Sequence, residues 1–112
     1  MKVSLDQNWS VTHSPIFQES LERNAIVFSD LPEKLRKFKE VKGTDPLRNR
    51  YGKHDAPMTG AFKGFFHAHL RDDAILIYKL RDRKLDLVYI SSHAEIEGKR
   101  CRVTRQRLEA YA

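Results

Sequence analysis

A single cysteine, Cys101, stands in the 112-residue sequence, and one thiol makes neither an internal disulfide nor a zinc knuckle. Long apolar runs are missing as well: no stretch approaches the roughly 20 residues that a membrane-spanning helix needs. The opening residues, MKVSLDQNWS, lack the apolar run of a secretory signal, so a reducing, cytoplasmic setting with no membrane contact is expected. No internal repeat or low-complexity tract is present. Acidic residues are the minority charge, 15 Asp and Glu against 21 Lys and Arg. Hydrophobic residues make up 40% of the chain and charged ones 32%, which permits a packed core and argues against general disorder. The length fits a single domain over 1–112, since domains mostly run about 100–150 residues.

The net charge of +6 is unevenly placed. Residues 1–30 carry two basic and four acidic side chains, so the other 82 residues hold a net +8. The last 14 residues contribute Lys99, Arg100, Arg102, Arg105 and Arg107 against Glu109. A basic region of this kind suits RNA, DNA or an acidic protein, and equally describes a merely solvated basic surface.

Alternation around Trp9 and Val11 predicts a first strand at Ser10–His13. Ser14-Pro15 reads as a helix start, with Ser14 as cap and Pro15 in the first turn. Phe17, Leu21, Ala25 and Phe28 then form one helical stripe. A second helix is predicted over Asp30–Lys42, burying Leu31, Leu35, Phe38 and Val41 and stopping at Gly43. Thr44–Gly64 reads mostly as loop, punctuated by Pro46, Gly52, Pro57, Gly60 and Gly64. Three runs rich in aromatic and branched residues follow: Gly64–Leu70, Ala74–Leu80 and Lys84–Ser92. Their short polar links predict an antiparallel meander. A last helix is expected at Thr104–Tyr111, with Thr104 as cap. The fold class is therefore α+β: a small antiparallel sheet, two N-terminal helices on one face and a short C-terminal helix.

Four of the five histidines lie between positions 54 and 93. His67 and His69 are two apart on one strand and share a face, while Phe66, Ala68 and Leu70 point to the other. Three readings stand open for this cluster. A His-x-His pair near Asp72 and Asp73 can bind zinc, although no third ligand falls at a diagnostic spacing. Solvated surface histidines are the most ordinary outcome on pattern alone. The third reading is metal-free RNA cleavage, in which histidines take the 2′-OH proton and protonate the leaving 5′-oxygen. Neighbouring cations would then stabilise charge on phosphorus. Tyr51, Phe62 and Phe65 are equally candidates for base stacking and for the core.

Gly60-Ala-Phe-Lys-Gly64, His67-Ala-His69, Asp73-Ala-Ile-Leu-Ile-Tyr-Lys79 and Ser91-Ser-His93-Ala-Glu95 together resemble the C-terminal half of the YafQ-type toxins. These belong to the RelE/ParE superfamily of toxin–antitoxin systems, and the close resemblance covers about residues 51–97. It implies a ribosome-dependent mRNA endoribonuclease that needs no metal or other cofactor. By matching positions, His54, His69, Asp73 and His93 form the implied catalytic group. His69 and His93 are the implied acid/base pair, His54 assists, and Asp73 orients or polarises. Lys63 and Lys79 are implied phosphate contacts, with Arg71 and Arg81 as further RNA-binding groups. The implied partners are a cognate antitoxin in a hetero-oligomer, mRNA, and the 16S rRNA of the decoding site. Three positions depart from the family pattern. His67 replaces an acidic residue and reads as an additional catalytic group or a tolerated change, while Ala74 and Glu97 stand where aromatics are usual. Two alternatives remain: a ParE-like toxin that inhibits gyrase without catalysis, and an inactive RelE-fold binding protein.

Overall fold

Apolar spacing selects most of the elements seen. The computed structural model describes residues 9–43, 45–52, 54–97 and 101–110. Lys99, Arg100 and Tyr111, counted above in the basic tail and the last helix, lie outside them. Strand β1 (Ser10–His13) leads into helices α1 (Phe17–Val27) and α2 (Leu31–Lys42). There follow β2 (Ala56–Pro57), a 3-10 turn (Gly60–Phe62), β3 (Phe66–Arg71), β4 (Ala74–Arg81) and β5 (Lys84–Ser91). The short helix α3 (His93–Ile96) and helix α4 (Cys101–Glu109) close the order.

The α+β class is borne out, in one five-stranded sheet ordered β1-β5-β4-β3-β2. Strands β3, β4 and β5 form the expected antiparallel meander. Strand β1 instead pairs parallel to β5, Ser10 opposite Lys84, which makes the sheet mixed. Alternation reports which face of a strand is buried but says nothing of its partner's direction.

Each face has its own core. Phe17, Leu31, Leu35 and Phe38 of α1 and α2 pack with Ala68, Leu76, Tyr78, Leu85, Leu87 and Ile90. On the opposite face Leu108 of α4 joins Phe62, Phe65, Ile77, Val88 and Tyr89. The C-terminal helix thus covers the sheet from behind. A bulge makes this two-sided arrangement work: Tyr78 pairs with Leu87 and Ile77 with Tyr89, leaving Val88 as the extra residue. Val88 and Tyr89 consequently serve the same core, and the alternation resumes with Ile90 on the other.

Four local expectations are corrected. Val41 is exposed, and the α2 stripe runs Leu31, Leu35, Phe38, Lys42. That series keeps the 3.6-residue period, with the buried Lys42 ammonium paired to Asp55 at 2.7 Å. Ser14 does not cap α1; its hydroxyl donates to the Val88 carbonyl at 2.6 Å and ties β1 to β5. Helix α4 begins at Cys101, so Thr104 is a buried interior residue and not its cap. Finally, β2 adds an edge strand inside the segment read as loop, with Ala56 opposite His67.

Candidate active site

Four imidazoles converge at one end of the second sheet face. His67 and His69 stand on β3 opposite Ile77 and Ile75. His54 comes from the loop before β2, and its ring stacks on His69 with centroids 4.6 Å apart and planes at 23°. His93 opens α3 and meets His69 edge-on at 5.3 Å. His67 lies edge-on to His69 at 5.7 Å. His69 is therefore the hub, touching the other three rings.

His93 is held at both backbone and ring. The Asp73 carboxylate, in the β3–β4 turn, accepts the His93 main-chain N–H at 2.8 Å and faces ring Nδ1 at 3.0 Å. That leaves Nε2 as the ring nitrogen not engaged by Asp73. The one-turn helix behind it carries a complete capping box between Ser92 and Glu95. Glu95 also accepts from the Tyr89 hydroxyl at 2.7 Å, and that hydroxyl accepts from Arg23 of α1 at 2.8 Å. Burial and the Glu95 bond push the Tyr89 phenol up, so it remains a donor.

The electrostatics divide the cluster. Burial, then the charges of His54 and His93, hold the His69 imidazole below its ordinary range, against a weaker upward pull from Asp72. His67 is depressed too, first by burial and next by His69. Its Nδ1 is buried with no hydrogen-bond partner among the described residues. Both rings are thus kept neutral near pH 7, and a neutral imidazole is the form that accepts a proton.

The Asp73 carboxyl is held below the ordinary carboxylate value, first by the His93 main-chain N–H and then by its ring. A depressed carboxylate stabilises the fold above its unfolded pKa, about 3.9, and the contribution is lost as pH falls through the folded value. A carbon-13 titration of Asp73 is expected to give a midpoint below 3.8. His93→Ala should raise that midpoint only partway, because the main-chain bond, the larger cause, survives. A full return to 3.8 in that variant would contradict the hydrogen-bond account.

The family model describing the YafQ bacterial toxin of type II toxin–antitoxin systems matches residues 12–98, the whole span that builds this cluster. The chain belongs to the YafQ toxin family. An mRNA interferase toxin YafQ from Escherichia coli is 40% identical over 58 residues, covering 52% of this chain and 61% of that protein. The chain thus spans less than two thirds of the curated relative's length. The crystal structure of E. coli YafQ superposes with a TM-score of 0.65 at 26% identity, covering 80% of this chain and 99% of the other. The toxin in the E. coli DinJ-YafQ toxin-antitoxin complex gives 0.64 at 26% identity, over 81% and 99%.

Within this YafQ fold, His54, His67, His69, Asp73 and His93 are brought together, whereas the four basic residues are not. Lys63 is exposed in the turn after the 3-10 segment, and the Lys79 ammonium lies 4.9 Å over the Phe65 ring. Arg71 turns to the helical face, 3.5 Å from Asp30 and 5.4 Å over Phe28. Arg81 pairs with Asp86 at 3.4 Å at the far end of β4. The aromatic alternatives resolve as core: Phe62 and Phe65 are buried, and Tyr51 packs edge-on against Phe38. Of the positions where family aromatics are usual, Ala74 is fully buried and Glu97 is exposed. Glu95 stood in the quoted motif without a role of its own, although Ser-x-x-Glu is itself a helix-start signature. Arg105, counted only as part of the basic tail, places its guanidinium 5.1 Å over Phe65 and donates to the Lys63 carbonyl at 3.1 Å. No local pattern marked that contact.

Proposed function

We propose that this chain is the toxin of a type II toxin–antitoxin pair and a ribosome-dependent mRNA endoribonuclease, acting in the cytoplasm without a metal. The observation that carries the reading is the four-imidazole cluster with Asp73 clamped on His93. One neutral ring and one ring oriented by a carboxylate are the two proton-transfer groups that the reaction needs. His69 accepts the proton of the ribose 2′-OH as that oxygen attacks phosphorus. The P–O5′ bond breaks, and His93 gives a proton to the departing oxygen. The products are a 2′,3′-cyclic phosphate and a free 5′-hydroxyl. His54 supports His69 through the ring stack, while His67 stands by as a second neutral base.

Several features support the proposal. Lys79 and Arg105 both lie over the Phe65 ring, a pair of cations suited to an RNA backbone. The E. coli relative is named an mRNA interferase, and a YafQ has been crystallised with its antitoxin.

Production of the chain alone should arrest growth, and primer extension should map cuts within codons of translated messages. Co-production of the cognate antitoxin should restore growth. Intact messages alongside lost DNA supercoiling would favour the gyrase-binding alternative. No toxicity at all, with antitoxin binding retained, would favour the inactive one.

A further inference from the structure

His54 occupies the least regular stretch of the described chain, yet its ring makes the closest ring contact in the cluster. What holds it lies beneath the loop. The next residue, Asp55, is 4% exposed, and its carboxylate accepts three hydrogen bonds. They come from Lys42 Nζ at 2.7 Å, the Tyr51 N–H at 2.8 Å and the Tyr78 hydroxyl. Lys42, the last residue of α2, also donates to the Asn49 carbonyl at 2.7 Å. Arg50 Nε donates to the Asp55 carbonyl at 3.1 Å. One residue further on, Ala56 is fixed opposite His67 in the sheet.

None of Lys42, Asp55 or Tyr78 makes a ring contact within the histidine cluster. Stability alone does not call for such a network, because well-packed apolar residues commonly replace a buried ion pair without loss. Charge-assisted bonds differ from apolar contacts in being directional and short. Three of them, from α2, β4 and the loop's own backbone, leave Asp55 a single seat, and His54 is covalently next to it.

We propose that the buried Lys42–Asp55–Tyr78 network is a positioning device for His54, fixing the loop so that the His54 ring stacks on His69. The kinetic part of this inference rests on the ribonuclease reading; the geometric part does not. Removing one bond of the network loosens the seat, and the His54 ring drifts from His69 while β3 and α3 keep their places.

The test uses Tyr78→Phe, which deletes one hydroxyl and keeps the ring, together with Asp55→Asn and Lys42→Arg. In proton NMR, the His54 and His69 ring resonances of each variant should move toward free-imidazole positions. Amide resonances of α1 and α4, remote from the substituted side chains, should stay. In ribosome-dependent cleavage, kcat should fall by about 10- to 100-fold with KM held, the scale expected of a small misplacement. In a His54→Ala background the same substitution should change kcat less than about twofold, since coupled residues do not add. Unmoved ring resonances in folded Tyr78→Phe would overturn the proposal, as would an equal loss of kcat with and without His54. Should Asp55→Asn fail to fold, Tyr78→Phe and Lys42→Arg decide the matter. Should the wild type cleave no RNA, the ribonuclease reading falls and the ring resonances alone judge the positioning role.

Discussion

Alanine at His69 or at His93 is expected to reduce ribosome-dependent message cleavage by about 10²- to 10⁴-fold, the contribution of a positioned proton-transfer group. The two losses should not multiply in the double variant, because each residue serves one transition state and the first removal forfeits most of what the second supplies. Single-turnover cleavage on programmed ribosomes measures this directly. The pH profile separates the roles. His69 is held below the ordinary histidine value of 6.5, chiefly by burial and then by His54 and His93. The acid limb of kcat/KM should therefore lie below 6.5. His54→Ala removes one of the two like charges, so the limb should move up. A limb that stayed put would detach His69 from the rate. Full activity in both His69→Ala and His93→Ala would remove the catalytic assignment altogether.

The second large effect is on folding. Lys42→Met leaves the Asp55 carboxylate buried beside Tyr78 with no counter-charge. Breaking a buried pair from one side costs about 3–5 kcal/mol, against a total stability of about 5–15 kcal/mol for a domain. At this chain length the melting midpoint should fall by about 10 °C or more. Lys42→Met with Asp55→Leu should recover part of the loss, since it removes the stranded charge along with its partner. Urea denaturation of the wild type, both single variants and the double variant gives the coupling energy. A Lys42→Met loss below about 1 kcal/mol would mean that water reaches the carboxylate and that the pair is not buried in solution.

The sequence carried the meander, the two helical stripes and the shared face of His67 and His69, because each is a periodic signal read over several residues. It did not carry the bulge at Val88. Inserting one residue into β5 shifts the phase of every side chain after it, and Leu-Val-Tyr-Ile reads the same with or without the insertion. Lys42 escaped for a different reason. Its position fits the α2 stripe, but a lysine there looks solvated until its partner, 13 residues away in an irregular loop, is known. The convergence of His54 on His69 and of Asp73 on His93 is a tertiary fact that no spacing encodes; resemblance to the toxin family supplied it. Arg71 and Arg81 show the opposite limit, since their proximity in sequence to the histidines says nothing of the direction their side chains take.

The parallel pairing of β1 with β5 also sets an order of assembly. Ser10 finds its partner at Lys84, a separation of 74 residues, and distant pairings are slow because the chain must first be brought into a closed loop. The hairpins of β3, β4 and β5 need no such search. During synthesis the N-terminal helices leave the ribosome long before the strands against which they bury their apolar faces. His93 emerges after all five strands. A nascent chain therefore holds no complete histidine cluster until residue 93 has emerged, and one cut short before residue 93 never acquires it.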